Sequence, residues 1–259
     1  DKVDDLCAED GIMALVTPIT WLRANSNIHN SYKLFENNQV LKAVVYQNGN
    51  TPFDVGSTFS YHITQKTPRT GPTPTYYAKW DERSEELVAD IDMRTDKLWP
   101  GELSDMNLQI HKKLQQFEKI EFVKSCEMHM QKLQKKDQVV DEQTKAYPHK
   151  LWISAKIQRY TNVTQSTHNQ WKIMVPLTST INRAVVDKDC GHSADMMTIY
   201  TKTKSEALNI QKVFQSDTFK FIGKLYKSGR NQPLQNIFPV LDFSETWTDD
   251  EIQDALGFN

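Results

Sequence analysis

The stretch Gly11–Lys66 constrains this chain most, because short apolar runs alternate there with a helix-spaced segment and a turn-rich loop. Gly11-Ile-Met-Ala-Leu-Val-Thr-Pro18 is an apolar run closed by proline, the pattern of a strand buried in a sheet. Trp21–Asn37 is broken by asparagines but regains helical spacing at Ile28, Tyr32 and Phe35. Val40–Tyr46 is a second apolar strand. Gln47–Pro52 is rich in turn formers and leads to Phe53, and Ser57–Lys66 is a third strand with a mixed face. The predicted order is strand, helix, strand, loop, strand.

A chain of 259 residues holds one large or two ordinary domains, enough to bury a real core. Its hydrophobic share of 38% and charged share of 25% fit a globular protein. The sequence has no apolar run of about 18 residues and no secretory leader pattern, so a cytoplasmic, membrane-free setting is expected. Cys7, Cys126 and Cys190 are odd in number and far apart, which does not make a disulfide framework. The opening Asp1–Cys7 lacks an initiator methionine and reads like the end of a helix, so a longer parent chain is expected.

A net charge of −2 conceals a division along the chain. Residues 1–80 are neutral, whereas residues 81–106 carry three basic and nine acidic side chains. Residues 107–149 net +2. Residues 150–240 have thirteen basic and five acidic side chains, a net of +8, and the tail 241–259 has six acidic and none basic. The near-zero total excludes a strongly basic, non-specific DNA coater. The +8 segment still supplies an electrostatic footprint for phosphates, or alternatively a solvated lysine-rich face.

Beyond Lys66, Thr67–Pro74 has three prolines and a glycine, a linker or extended loop. Thr75–Trp80 has the character of an edge strand, and Ser84–Lys97 reads as an acidic helix or loop. Ser104–Phe117 is a helix capped by Ser104-Asp105, and helix is expected to continue through Ile120–Val140, turning polar and mobile at Gln134–Lys145. From Tyr147 the pattern becomes β, with short strands at Leu151–Ile157, Trp171–Val175, Ala184–Val186 and Met196–Tyr200. The polar loops Thr161–Gln170 and Asp187–Asp195 between them are of the kind that enters DNA grooves. Helices follow at Ser205–Phe214 and Thr218–Tyr226, then a basic turn at Lys227–Pro233. Thr248-Asp-Asp-Glu251 is a capping box, and Gly257 stops the helix it opens.

GIMALVTPITWL, then VLKAVVY, then FDVGSTFSYHITQK resembles the later half of the catalytic domain of DNA adenine-N6 methyltransferases. That family follows its catalytic strand with a "GG-hydrophobic-I-x-P-x-x-W-L" segment and carries a loop phenylalanine ahead of a strand ending in lysine or arginine. YPHKLWISAKIQRY, WKIMVPLTS and SEALNIQKVFQSDTFKFI are similar to the C-terminal half of large restriction–modification methylases. Those enzymes commonly finish with P-x-LDFS-x-x-WTD-x-E, matched by Pro239–Ser244 and Trp247–Glu251. Residues 67–145 match poorly.

The resemblance implies an α/β fold: a partial Rossmann-like methyltransferase sheet, its last three strands, followed by an α+β target-recognition region. The expected domains are 1–80, the C-terminal part of the catalytic domain; 81–149, a mostly helical connector; and 150–259, the target-recognition region. Phe53 then matches the ring that stacks on the flipped-out adenine, which needs a new neighbour once it leaves the duplex. On spacing alone, Phe53 equally suits an aromatic plugging the sheet end. S-adenosylmethionine is the implied cofactor, yet its glycine-containing turn and the Asn/Asp-Pro-Pro-aromatic tetrad are absent, for the chain has no Pro-Pro pair. No catalytic residue is therefore expected in this chain, which alone should not methylate. Double-stranded DNA and a missing N-terminal catalytic half, or a partner chain, are the expected partners, the latter pairing with an open edge on the Gly11 strand.

For DNA contact in the second half the residues of choice are Lys156, Arg159, Lys172, Arg183, Arg230, Asn231 and Gln232, since arginine suits guanine edges and asparagine or glutamine suits adenine edges. Cys126-x-x-His129 and Cys190-x-His192 offer four zinc-type ligands but read better as buried thiols beside surface histidines, so no metal site is expected. Asp90-Ile-Asp92 and Glu121-Phe-Val-Lys124 have nuclease residue types without nuclease spacing. The rival reading is a non-catalytic DNA-binding or specificity subunit, and a third is a decayed fragment that binds nothing.

Overall fold

The computed structural model describes residues 5–19, 37–47, 50, 52–53, 59–91, 98–124, 127–177, 180–227 and 236–258. Over these the chain is a mixed α/β protein with thirteen strands in three sheets and five α-helices. It divides into two compact units, Asp1–Lys112 with Leu225–Gly229, and Lys113–Lys224 with Arg230–Asn259.

The first unit contains strands at Ile12–Pro18 (β1), Asn38–Tyr46 (β2), Phe59–Pro68 (β3), Thr73–Lys79 (β4) and Ser84–Ile91 (β5). They form one sheet in the order β1-β3-β2-β4-β5. β3 lies between β1 and β2 and runs antiparallel to both, β2 pairs parallel with β4, and β4 antiparallel with β5. All three strands expected from Gly11–Lys66 are thus present and adjacent. The helix expected over Trp21–Asn37 lies, save for its last residue, outside the described residues.

The burial of β2 explains its apolar run. Val40, Ala43, Val44 and Val45 are fully buried, and one face packs on Ile19, Ile91, Trp99, Leu103 and Leu108. Each such side chain contributes roughly 1.5–3 kcal/mol relative to exposure, except alanine, which contributes less. β1 differs from its expectation as a buried strand. It is an outer strand paired to β3 only among the described residues, and while Met13 is buried, Ile12 and Val16 are 66% and 55% exposed.

Three further expectations are corrected. Thr67–Pro74 is no linker: Pro68 ends β3, Thr73 begins β4, and the intervening turn is pinned by Arg69. Its guanidinium donates to the carbonyls of Gly71 (2.9 Å) and Ile91 (3.1 Å) and to Thr73 Oγ1 (3.1 Å). Thr75–Trp80 lies mostly in β4, an interior strand between β2 and β5. The acidic Ser84–Ile91 is neither helix nor loop but the outer strand β5, where solvent reaches Glu85 and Glu86 and charge carries little cost. Glu85 accepts there from Lys42 Nζ and Tyr61 Oη, both at 2.5 Å.

Helix α1 (Asp105–Leu114) follows Ser104, whose Oγ accepts from the Asn107 amide as the capping pattern predicts. Gly101 allows a close backbone approach: its N–H donates to the Leu225 carbonyl at 2.8 Å, and a Cβ there would meet the Lys227 carbonyl oxygen at 2.5 Å.

The second unit has two four-stranded sheets. One holds Val123–Lys124 (β6), Trp171–Pro176 (β10), Val185–Asp187 (β11) and Met196–Thr201 (β13), in the order β11-β10-β13-β6. The other holds Val139–Val140 (β7), His149–Trp152 (β8), Gln158–Thr161 (β9) and Cys190–His192 (β12), in the order β12-β8-β9-β7. Met174, Cys190 and Met196 form a core between the sheets, with Trp152 and Val185 against it. The helices are Met130–Lys135 (α2), Lys204–Gln215 (α3), Asp217–Leu225 (α4) and Asp249–Leu256 (α5). Phe219 of α4 stacks on Phe214 of α3 and on Phe238, and Phe214 meets Phe238 at a tilt, with centroids 5.6–6.0 Å apart.

Here too the sequence expectation needs correction. The expected strand Leu151–Ile157 is the end of β8 and the tip of a hairpin, because Trp152 pairs with Gln158. The long helix expected over Ile120–Val140 shrinks to α2, because Ile120 and Phe122 are buried outside any helix. The loop Asp187–Asp195 contains β12, parallel to β8, with Cys190–Ala194 buried. No helix among the described residues is long and apolar enough to cross a membrane.

The C-terminal helix forms as its sequence dictates. Thr248 Oγ1 accepts from the Glu251 amide (3.3 Å), the Glu251 carboxylate accepts from the Thr248 amide (2.8 Å), and Gly257 closes the helix at φ +66°. Replacing Thr248 with alanine should cost about 1 kcal/mol, seen as a lower urea midpoint, while Thr248→Ser should keep most of the loss from appearing.

Candidate nucleic-acid interface

The second unit is built around a lysine that never reaches solvent. Lys172 on β10 is fully buried, and its ammonium donates to the carbonyls of Thr167 (2.7 Å), His168 (3.2 Å) and Cys190 (2.6 Å). Three donors meet three acceptors, which satisfies the group, while burial pulls its pKa below the usual lysine range. The expected DNA contact by Lys172 is therefore corrected: the side chain is committed to holding backbone and cannot meet a phosphate.

That clamp fixes part of the Thr161–Gln170 loop. Ser166 donates from Oγ and N–H to the Glu127 carboxylate at 2.7 and 3.1 Å, and buried Gln165 accepts from the His192 amide at 3.0 Å. The side chains of Asn162, Thr164, Asn169 and Gln170 stay exposed. The Asp187–Asp195 segment, by contrast, is largely core.

The other expected contacts are differently placed. Lys156 is exposed at the β8–β9 turn, and Arg183 is exposed at the end of the short 3-10 helix Ile181–Arg183. Arg159 on β9 pairs with Asp141 at 2.9 Å, a bond near the surface that a phosphate can exchange for. Arg230, Asn231 and Gln232 lie outside the described residues. Lys150 and the Trp152 indole both donate to Asp187 Oδ2, at 2.9 and 2.7 Å. Burial opposes ionisation of Asp187, but those two bonds, the Lys188 amide and the Lys150 charge together outweigh it and hold the carboxyl below the usual carboxylate range.

Sequence reasoning passed over Lys132, Lys135 and Lys136. They are exposed on and just after α2, whose Leu133 is buried against Met128 and Leu151. The signal was present as three lysines at helical spacing around a single apolar residue.

Cys126 lies outside the described residues, and among those described no cluster of three or more His, Cys, Asp or Glu could hold a metal ion. Cys190 is buried as expected, and burial pushes its thiol up to about 12, which leaves no thiolate for nucleophilic chemistry at neutral pH. His192 is not the surface histidine expected beside it. It is fully buried, with Nε2 3.0 Å from Thr198 Oγ1, and burial lowers its pKa to about 4.

In the first unit, Phe53 follows the β2 loop, where the Asn50 amide donates to the Gln47 carbonyl at 3.0 Å and the Asn50 side chain bonds Asp81. The Phe53 ring leans on Phe59 at the start of β3, centroids 4.8 Å apart, and remains 41% exposed. Phe59 in turn pairs with Pro18 of β1. An aromatic so placed touches protein and still exposes part of its ring to solvent.

No family model and no curated protein matches this chain. Three solved structures show partial likeness. The type IIG restriction endonuclease BpuSI matches 99% of this chain and 43% of its own length, at 9% identity and a TM-score of 0.35. The type IIL restriction-modification enzyme MmeI, solved with DNA, matches 92% of this chain and 39% of its own, at 7% identity and 0.47. The ATP-dependent type ISP restriction-modification enzyme LlaBIII, solved bound to DNA, matches 90% and 25%, at 9% identity and 0.42. This chain spans less than half of each of these proteins. At these TM-scores the likeness by itself assigns neither a fold nor an activity.

The buried histidines set an acid limit on stability. The folded pKa values of His62 and His192 are lowered by burial from 6.5 to about 4. Between those values the unfolded chain binds more protons, so their contribution is intact above pH 6.5 and is lost as pH falls to about 4. Urea midpoints should fall over that window. His192→Gln should flatten the part of the slope that belongs to the second unit, and an unchanged slope would refute this assignment.

Proposed function

We propose that this chain is part of a site-specific DNA adenine-N6 methyltransferase of the restriction–modification type. In this reading the first unit holds the flipped adenine against Phe53, and the second unit binds target duplex through cations on its surface. S-adenosylmethionine is the methyl donor. The glycine turn and the Asn/Asp-Pro-Pro-aromatic tetrad that would bind donor and adenine are not in this sequence, so they come from upstream residues or a partner chain.

The observation that carries the reading is Phe53: a ring on the loop ahead of β3, set against Phe59 and still 41% exposed. A base extruded from the duplex has lost its stacking, and such a ring replaces it. The adjacency of β1, β3 and β2 supports the match to the later part of a catalytic sheet. The outer position of β1, with Ile12 and Val16 exposed, supports pairing with strands of a donor-binding half. The net charge of +8 over residues 150–240 supports contact with phosphates.

The test supplies a donor-binding methyltransferase half in trans and measures labelled methyl transfer to adenine in duplex DNA. Transfer should appear only with both parts. Phe53→Ala should then lower kcat/KM by roughly 10- to 100-fold, the worth of one base stack, while Phe53→Trp retains most activity. Sequence-selective binding without transfer in any combination would instead identify a non-catalytic specificity subunit. Absence of salt-dependent binding would refute both.

A further inference from the structure

The turn between β8 and β9 presents an apolar side chain to solvent where none is needed for packing. Ile157 is 51% exposed at the tip, directly after the exposed Lys156. The tip is held in shape. The amides of Ile153 and Ser154 both donate to the Ile157 carbonyl, at 2.9 and 3.3 Å, and the Lys156 amide donates to Ser154 Oγ at 3.3 Å. From behind, Ser193 donates through its amide to the Trp152 carbonyl (2.8 Å) and through Oγ to the Ile153 carbonyl (3.2 Å). Ile157 is therefore displayed by a braced turn.

β7 pairs with β9 only at Tyr160 and Thr161, so on that side Ile157–Arg159 runs on unpaired for roughly 10 Å. A DNA major groove is about 8.5 Å deep and wide enough for a two-stranded ribbon. Residues 149–161 contain Lys150, Lys156 and Arg159 and no acidic residue. Two carboxylates beside this ribbon are already occupied, Asp141 by Arg159 and Asp187 by Lys150 and Trp152. The charge of Lys156 thus meets no carboxylate on the ribbon itself.

We propose that the β8–β9 tip reads bases in the major groove, with Ile157 against a thymine methyl group and Lys156 on a neighbouring phosphate. This rests on the DNA-binding reading above and adds the element and the base. The thymine methyl is the one apolar feature of the major-groove edge, and a displayed branched aliphatic side chain is its complement. Gln158, the next residue, already spends one amide N–H on Tyr160 Oη at 2.8 Å.

The experiment selects duplexes from a random pool with the whole chain, as wild type, Ile157→Ser and Lys156→Ala. The wild type should enrich a motif with a required A·T pair. Ile157→Ser should relax that one position, lowering preference there roughly three- to tenfold. Replacing that thymine by uracil, which deletes only the methyl group, should cost the wild type the same factor and cost Ile157→Ser nothing further. Lys156→Ala should weaken all sequences alike and lower the slope of log affinity against log salt by about 1. An enriched motif indifferent both to Ile157→Ser and to uracil at every position overturns this inference while leaving DNA binding intact. A wild-type chain that enriches nothing and shows no salt-dependent binding overturns it together with the reading beneath it.

Discussion

The second unit depends on one buried ammonium. Lys172 belongs to the sheet of β10, yet one of its three acceptors, the Cys190 carbonyl, lies on β12 in the other sheet, and the other two lie in the loop before β10. A lysine buried without partners would cost several kcal/mol, so this placement is tenable only because every donor is matched. The same bonds fix the 167–168 backbone beside the core of Met174, Cys190 and Met196. Polar satisfaction and apolar packing meet at that point, and the sheet-to-sheet geometry of the unit follows from both.

That arrangement sorts the cations into two kinds. Lys172 is spent on the fold, and Lys150 shares Asp187 with an indole. Lys156 and Arg183 on turns, and Lys132, Lys135 and Lys136 around α2, remain at the surface. A net charge is therefore a poor guide to which lysines meet a ligand, because burial removes some of them from solution altogether. The braced tip carrying Lys156 and Ile157 lies on the β8–β9 ribbon, whose opposite end pairs into a packed sheet, so a recognition element there would act without having to order itself first.

The first unit separates support from exposure differently. Its interior strands, β3, β2 and β4, have neighbours on both sides, and β2 fully buries Val40, Ala43, Val44 and Val45. The outer strands carry what the interior cannot: β5 its carboxylates, β1 its exposed isoleucine and valine. Phe53 stands where β2 has ended and β3 not yet begun, so its ring is steadied by Phe59 without being enclosed. A sheet end suits such a ring, because the sheet fixes its position while the loop leaves part of it in solvent.

Much was legible in the sequence, and for local reasons. The capping box at Thr248, the left-handed Gly257, the cap at Ser104 and the apolar cores of β2, β10 and β13 depend on residues a few positions apart, and all were readable. Ser84–Ile91 was not, since its charges suit a helix, a loop or an outer strand alike, and only pairing with β4 decided among them. Neither was Lys172, identical in sequence terms to any other lysine between apolar residues until the Cys190 carbonyl of the other sheet joined two carbonyls of the preceding loop around it. His192 likewise became a core residue through Gln165 and Thr198 as well as the Ser193 carbonyl beside it. The sequence by itself determined where helices cap, which runs are apolar and which aromatic precedes β3. Tertiary structure alone decided which strands lie outermost and which polar groups are enclosed, because both depend on what lies beside a residue in space.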